Sequence, residues 1–150
     1  MSAIITFDDS LWPLLTLRVA GTMSDKEYAD FLTRSSTYVE RGEQYVSITD
    51  LGQVGLPSAA QRVMQAEWIR KHDAELRERV LGNANIVTSV PVRLALSLIF
   101  HLKSLPMPCA AVSDMHSALR YVTGKLEEVG RGPDAERIRR HYGLPGIQAG

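Results

Sequence analysis

Only one cysteine occurs in the 150 residues. That excludes an internal disulfide framework and a multi-cysteine zinc site. An excess of charge of either sign is also missing: 17 Lys and Arg balance 17 Asp and Glu. A protein that coats nucleic acid or an anionic membrane leaves a basic footprint, so neither partner is expected. The longest apolar stretch, Val90 to Leu102, is interrupted by Arg93 and His101 and is too short to span a bilayer. The N-terminus has no basic region ahead of an apolar core and turns acidic at Asp8 and Asp9, so a cytoplasmic location is expected. Internal repeats and low-complexity segments are absent. His72, His101, His116 and His141 fall into no metal-binding spacing. No Gly-x-Ser-x-Gly motif surrounds a serine, and Gly52 and Gly55 lack phosphate-loop spacing. The expectation is a protein without cofactor or metal that is not an enzyme.

What is present is a globular composition, 45% hydrophobic and 23% charged. A single domain of this length buries roughly 70% of its unfolded surface. The balanced charge conceals an asymmetry. Residues 1–56 hold four basic and eight acidic side chains, and residues 57–150 hold 13 and nine, so the halves carry −4 and +4. The two halves can pair within one domain or between subunits.

Residues 3–7 are apolar and β-prone, Asp8-Asp9-Ser10 has turn chemistry, and Leu15, Leu17 and Val19 alternate with Thr16 and Arg18. This predicts an opening antiparallel hairpin. Ser24 with Glu27 forms a capping box ahead of a helical face containing Tyr28, Phe31, Leu32 and Tyr38, which Gly42 closes. Tyr45 to Asp50 predicts a third strand, and Leu51 to Leu56 a loop. Ser58 with Gln61 is a second capping box, opening a long helix that runs to about Val80 with Met64, Trp68, His72 and Leu76 in a stripe. Residues 84–88 predict a short strand, and Pro91 the start of a helix apolar on nearly all sides. Cys109 to Val112 is a fifth strand, Asp114 caps a helix over 115–129, and Pro133 to Tyr142 is a short basic helix before a frayed tail. The order β-β-α-β-α-β-α-β-α implies an α/β fold: a mixed five-stranded sheet with about four helices and the short basic C-terminal one. It places a domain at 1–130 and an appendage at 131–150, where a solvated terminal helix is expected.

This order, with Tyr45-Val46-Ser47-Ile48-Thr49-Asp50-Leu51, Val54, Ser58 and the run Met115 to Val122, is similar to the STAS domain, the fold of the anti-sigma-factor antagonists. It also resembles the related SpoIIAA-like proteins, a group overlapping with CRAL–TRIO-type lipid-binding sequences. The resemblance covers residues 3 to about 128. It implies a central strand ending in Asp50-Leu51, a switch loop, and Ser58 near the place of a phosphorylatable Ser or Thr. The antagonists have Asp before that residue and Gly after it, whereas here Pro57 precedes Ser58 and Ala59-Ala60 follow.

Ser58 has three readings: an N-cap alone, a cap that also serves as a phosphorylation or ligand switch, and a nucleophile. Asp50 lies at the carboxyl end of a central strand, where it either caps the following loop or serves the edge at which open α/β sheets bind ligands. A regulatory interaction module is expected, docking a protein partner such as a kinase or signalling regulator on Asp50, Gly52, Gly55, Ser58 and Arg62. The alternative is a small apolar or lipid-like ligand beneath the helix at 91–105, with Trp68, Leu96 and Phe100 as pocket or interface residues. That helix is also the candidate surface for a homodimer. Cys109, in an apolar strand, reads as an inert core thiol.

Overall fold

The computed structural model describes residues 3–102 and 105–144, with side chains from residue 100 to 102 excepted. Five strands form one sheet in the order β1-β2-β3-β4-β5: β1 (Ile4–Leu11), β2 (Leu14–Gly21), β3 (Tyr45–Val54), β4 (Val80–Ile86) and β5 (Cys109–Val112). β1 runs antiparallel to β2, and every other pairing is parallel. Among the described residues six helices complete the fold: α1 (Asp25–Val39), α2 (Ala59–Lys71), α3 (Asp73–Arg79), α4 (Val90–Leu102), α5 (Met115–Glu128) and α6 (Gly132–His141). The chain has the expected α/β class and mixed five-stranded sheet, with one helix more than the sequence suggested.

Because the strands follow in chain order, every crossover steps the same way across the sheet and lays its helix on the same face. Leu15, Leu17, Tyr45 and Val80 on that face pack with Tyr38, Val39, Ile69, Leu76 and Ile99 of α1–α4. Leu14, Val46, Ile48, Ala84 and Ile86 point to the opposite face and meet Leu119, Val122 and Leu126 of α5.

Four local expectations are corrected. The hairpin does not turn at Asp8-Asp9-Ser10. β1 continues through a register irregularity to Leu11, and the reversal falls on Trp12-Pro13. The Asp8 carboxylate still accepts the Ser10 N–H at 2.8 Å, so the local turn chemistry is spent inside the irregular strand. Residues 51–54 are not loop. β3 carries on because β2 offers partners up to Gly21, pairing Gln53 with Ala20 and Val54 with Gly21.

The single helix expected over 57–80 is two helices, broken at His72, whose φ of −103° and ψ of 15° leave the helical region. The buried imidazole Nδ1 lies 3.0 Å from the Trp68 carbonyl, which also accepts the His72 backbone N–H at 3.1 Å. β4 then begins at Val80, four residues before the expected start, because Tyr45 pairs with Val80 and Val46 with Gly82. Gly82, Asn83 and Asn85 are residue types depleted in strands, which hid it.

α6 departs from the expected solvated helix. Ala135 and Ile138 are fully buried in the α5 face of the core. α5 ends in a Schellman motif: Gly130 has φ +78°, its N–H donates to the Glu127 carbonyl at 3.0 Å, and the Arg131 N–H donates to that of Leu126 at 2.8 Å. Glycine tolerates that left-handed conformation, and the reversal folds α6 back against α5. Arg137 donates to the Trp12 carbonyl at 2.6 Å and Arg131 to that of Gln44 at 3.0 Å. The basic C-terminal helix is thus tied to the acidic half through backbone carbonyls.

Candidate functional site

A cavity of about 180 Å³ lies between the sheet and the layer formed by α1, α2 and α4. Its origin is in the residues of α2. A helix covering a sheet normally buries a wide apolar stripe. α2 buries only Gln61, Ala66 and Ile69, and α4 turns the small Ala95 inward. With so few inward residues on α2 and so short a one on α4, space remains above the strands.

Four side-chain hydrogen bonds stitch α2 to α1, and to Met23 ahead of α1, over that space. Gln61 Nε2 donates to the Met23 carbonyl and to Asp25 Oδ1, both at 2.9 Å. The Tyr28 hydroxyl donates to Gln65 Oε1 at 2.9 Å. Trp68 Nε1 donates to Ser36 Oγ at 2.9 Å. The roof is therefore held by directional bonds at its edges and does not need close apolar packing beneath.

The floor is polar. Ser47 and Thr49 of β3 and Asn83 and Asn85 of β4 face the cavity, where parallel strands covered on both sides are usually continuous aliphatic runs. Asn83 Nδ2 donates to Ser47 Oγ at 2.7 Å. Thr49 and Asn85, opposite each other in the next register position, make no side-chain hydrogen bond among the described residues. Leu17, Val19, Phe31, Val92 and Leu96 contribute apolar walls. Burial pushes the Cys109 thiol, also in the lining, up to about 12, so it stays protonated at neutral pH. Burial likewise raises the Tyr28 phenol well above its ordinary range. Among the described residues the lining contains no Lys, Arg, His, Asp or Glu.

The residues singled out from the sequence divide over this geometry. Gly55 lines the cavity, and so do Leu56 and Pro57 beside Ser58. Gly55 is packed so tightly that a Cβ would lie 2.1 Å from Thr22 Oγ1, and its N–H donates to the Gly21 carbonyl at 2.9 Å. Ser58 is the exposed N-cap of α2: its Oγ accepts the Gln61 N–H at 3.1 Å, and Gln61 Oε1 accepts the Ser58 N–H at 3.2 Å. Arg62 donates to the Pro57 carbonyl at 3.3 Å.

Asp50 belongs to the other face of the sheet by strand alternation, and its carboxylate accepts the Gly52 N–H at 3.0 Å. Trp68 and Leu96 stand in the cavity wall. The side chain of Phe100 lies outside the described residues. Val90, Leu94 and Leu98, on the outer side of α4, are exposed. The helix expected over 91–105 thus lines the cavity on one side and offers a row of apolar residues on the other.

Ser47, Thr49, Asn83, Asn85, Gln65 and Tyr28 are site residues that sequence reasoning missed. A signal existed: polar residues at alternate positions inside strands that are otherwise apolar.

No family model matches the chain, and no curated protein matches it either. Among the solved structures similar to it are two. One is an uncharacterized protein of the DUF3478 family with a SpoIIAA-like fold from Shewanella loihica PV-4: 14% identity, 81% of this chain and 94% of that one covered, TM-score 0.60. The other is an anti-sigma factor antagonist from Mycobacterium paratuberculosis: 16% identity, the same coverage of 81% and 94%, TM-score 0.56. With its sequential sheet, antiparallel edge strand and helices on both faces, the chain has the SpoIIAA-like, STAS-type fold.

Proposed function

We propose that the protein is a non-enzymatic regulatory module that binds a small, largely apolar molecule between its sheet and helix layer and signals occupancy to a protein partner. The cavity is the observation that carries this reading. Apolar walls around a few convergent neutral polar groups are the general form of a ligand site. The path outward is short: Leu56, Pro57 and Gln61 line the cavity, while Ser58, Ala59 and Ala60 are exposed on the same segment. A ligand that moves the start of α2 alters the surface a partner would meet. The protonated Cys109 thiol and the capping role of the Ser58 hydroxyl support a binding role over a catalytic one.

The test is thermal unfolding of the protein and its Ala95→Leu variant against a panel of small apolar compounds. A compound that raises Tm in the first and not in the second supports the proposal. A panel in which no compound separates the two overturns it.

A second reading, a switch at Ser58, is favoured by one contrast. The first turn of α1 carries Asp25 and Glu27, whereas that of α2 carries no acidic residue. A phosphoryl group on the exposed Ser58 would place about two negative charges at an uncompensated helix N-terminus. Ser58→Asp and Ser58→Ala, compared by pulldown in the native cell, should then differ in the partners retained. Identical partners for two folded variants would sink the switch.

A further inference from the structure

We infer that the cavity selects a neutral amphiphile, of the size and kind of a short-chain alcohol or carboxamide, and rejects the corresponding carboxylate. This rests on the ligand proposal above and specifies its chemistry.

Three observations support it. The first is charge. No cationic side chain lines the cavity among the described residues, so an anionic head group would be desolvated without a counter-charge. The second is the pair Thr49 and Asn85. Asn85 is only 9% exposed, faces the cavity, and its carboxamide hydrogen-bonds to no other described residue. Buried polar groups are ordinarily paired. Beside it, Thr49 adds a hydroxyl, so the pair presents donors and acceptors together, without charge. One step deeper, Ser47 and Asn83 share a hydrogen bond, so the polar pair that makes none, Thr49 and Asn85, is the anchor. The third is size. An apolar cavity of about 150 Å³ holds benzene. The 180 Å³ here therefore suits a ligand of about six to ten non-hydrogen atoms, with an apolar body between Phe31, Val92 and Leu96 and one polar end at Asn85.

Hexanamide and hexanoate test this, because they match in size and shape and differ in charge. Calorimetric titration at neutral pH should show hexanamide binding at least about a hundredfold more tightly. Asn85→Leu should weaken hexanamide by about tenfold while leaving toluene binding unchanged. Thr49→Val, isosteric with the native residue, makes the same comparison if Asn85→Leu does not fold. Equal binding of amide and carboxylate would overturn neutral selection and leave the cavity as a ligand site. Failure of hexanamide, hexanoate and toluene alike would overturn the ligand proposal itself, and this inference with it. Hexanamide binding that survives in folded Ala95→Leu would place the site elsewhere and overturn both.

Discussion

Asp114 shows how far a single side chain can be read. Its carboxylate accepts the Ser117 N–H at 2.7 Å at the start of α5. That bond, foremost among several causes, holds the carboxyl below its ordinary 3.8. The folded pKa lies below the unfolded one, so the unfolded chain binds more protons in this window and stability rises with pH there. The contribution is complete above 3.8 and is lost as pH falls through the lowered value. Asp114→Ala should therefore lower the urea midpoint at neutral pH, with the gap to wild type closing below pH 3.8. A gap that persists unchanged in acid would show that the carboxylate is not its cause. Gly55 works by crowding rather than by charge, since any Cβ meets Thr22. Gly55→Ala should cost about 1–3 kcal/mol in denaturant unfolding, and Thr22→Gly should recover part of it. A neutral Gly55→Ala would mean that the segment shifts freely.

At the scale of elements, α2 is defined by what it lacks. Its inward residues are too small or too polar to fill the space over β3 and β4, so α1 and α2 join through Gln61, Gln65 and Trp68. Filling that space should be tolerated. Ala95→Leu, inserted from α4, should leave Tm unchanged or raise it, because the added methylenes enter a void rather than a close-packed core. A drop of several degrees in thermal unfolding would show that the space is not available to an extra side chain. The caps of α1, α2 and α5 were legible in the sequence because each is a contact within three residues. The break at His72 and the early start of β4 were not. Both depend on partners elsewhere, the paired strand β3 above all.

For the whole molecule, α6 belongs to the core on the α5 side of the sheet. Ile138 is fully buried although 17 residues separate Tyr121 on α5 from it in sequence, and both belong to one apolar cluster. Ile138→Ala should cost roughly 2–5 kcal/mol, whereas Ile4→Ala, at an exposed edge position, should cost little. Equal, small effects in urea unfolding would make α6 an appendage after all. The charge asymmetry is also resolved at this scale. The arginines of α6 pair with Glu127, Asp134 and Glu136 of their own half, while Arg41 pairs with Asp9 in the other. Across the halves, Arg137, Arg131 and Arg79 donate to the carbonyls of Trp12, Gln44 and Val39, and Gln61 donates to the Asp25 carboxylate.

The sequence by itself determined the α/β class, the opening hairpin, the three side-chain caps and the covered central strands. Each rests on a local period or a contact a few residues long, which the chain carries wherever it folds. The tertiary structure decided the cavity. Thr49 and Asn85 are 36 residues apart, and only the parallel pairing of β3 with β4 sets them side by side. Whether Ala95 leaves a void depends on which strands it covers, and no window of sequence contains that answer. The single cysteine gained its meaning in the same way: its burial on β5, in the lining of that space, is what raises its thiol pKa from the ordinary 9.0 to about 12.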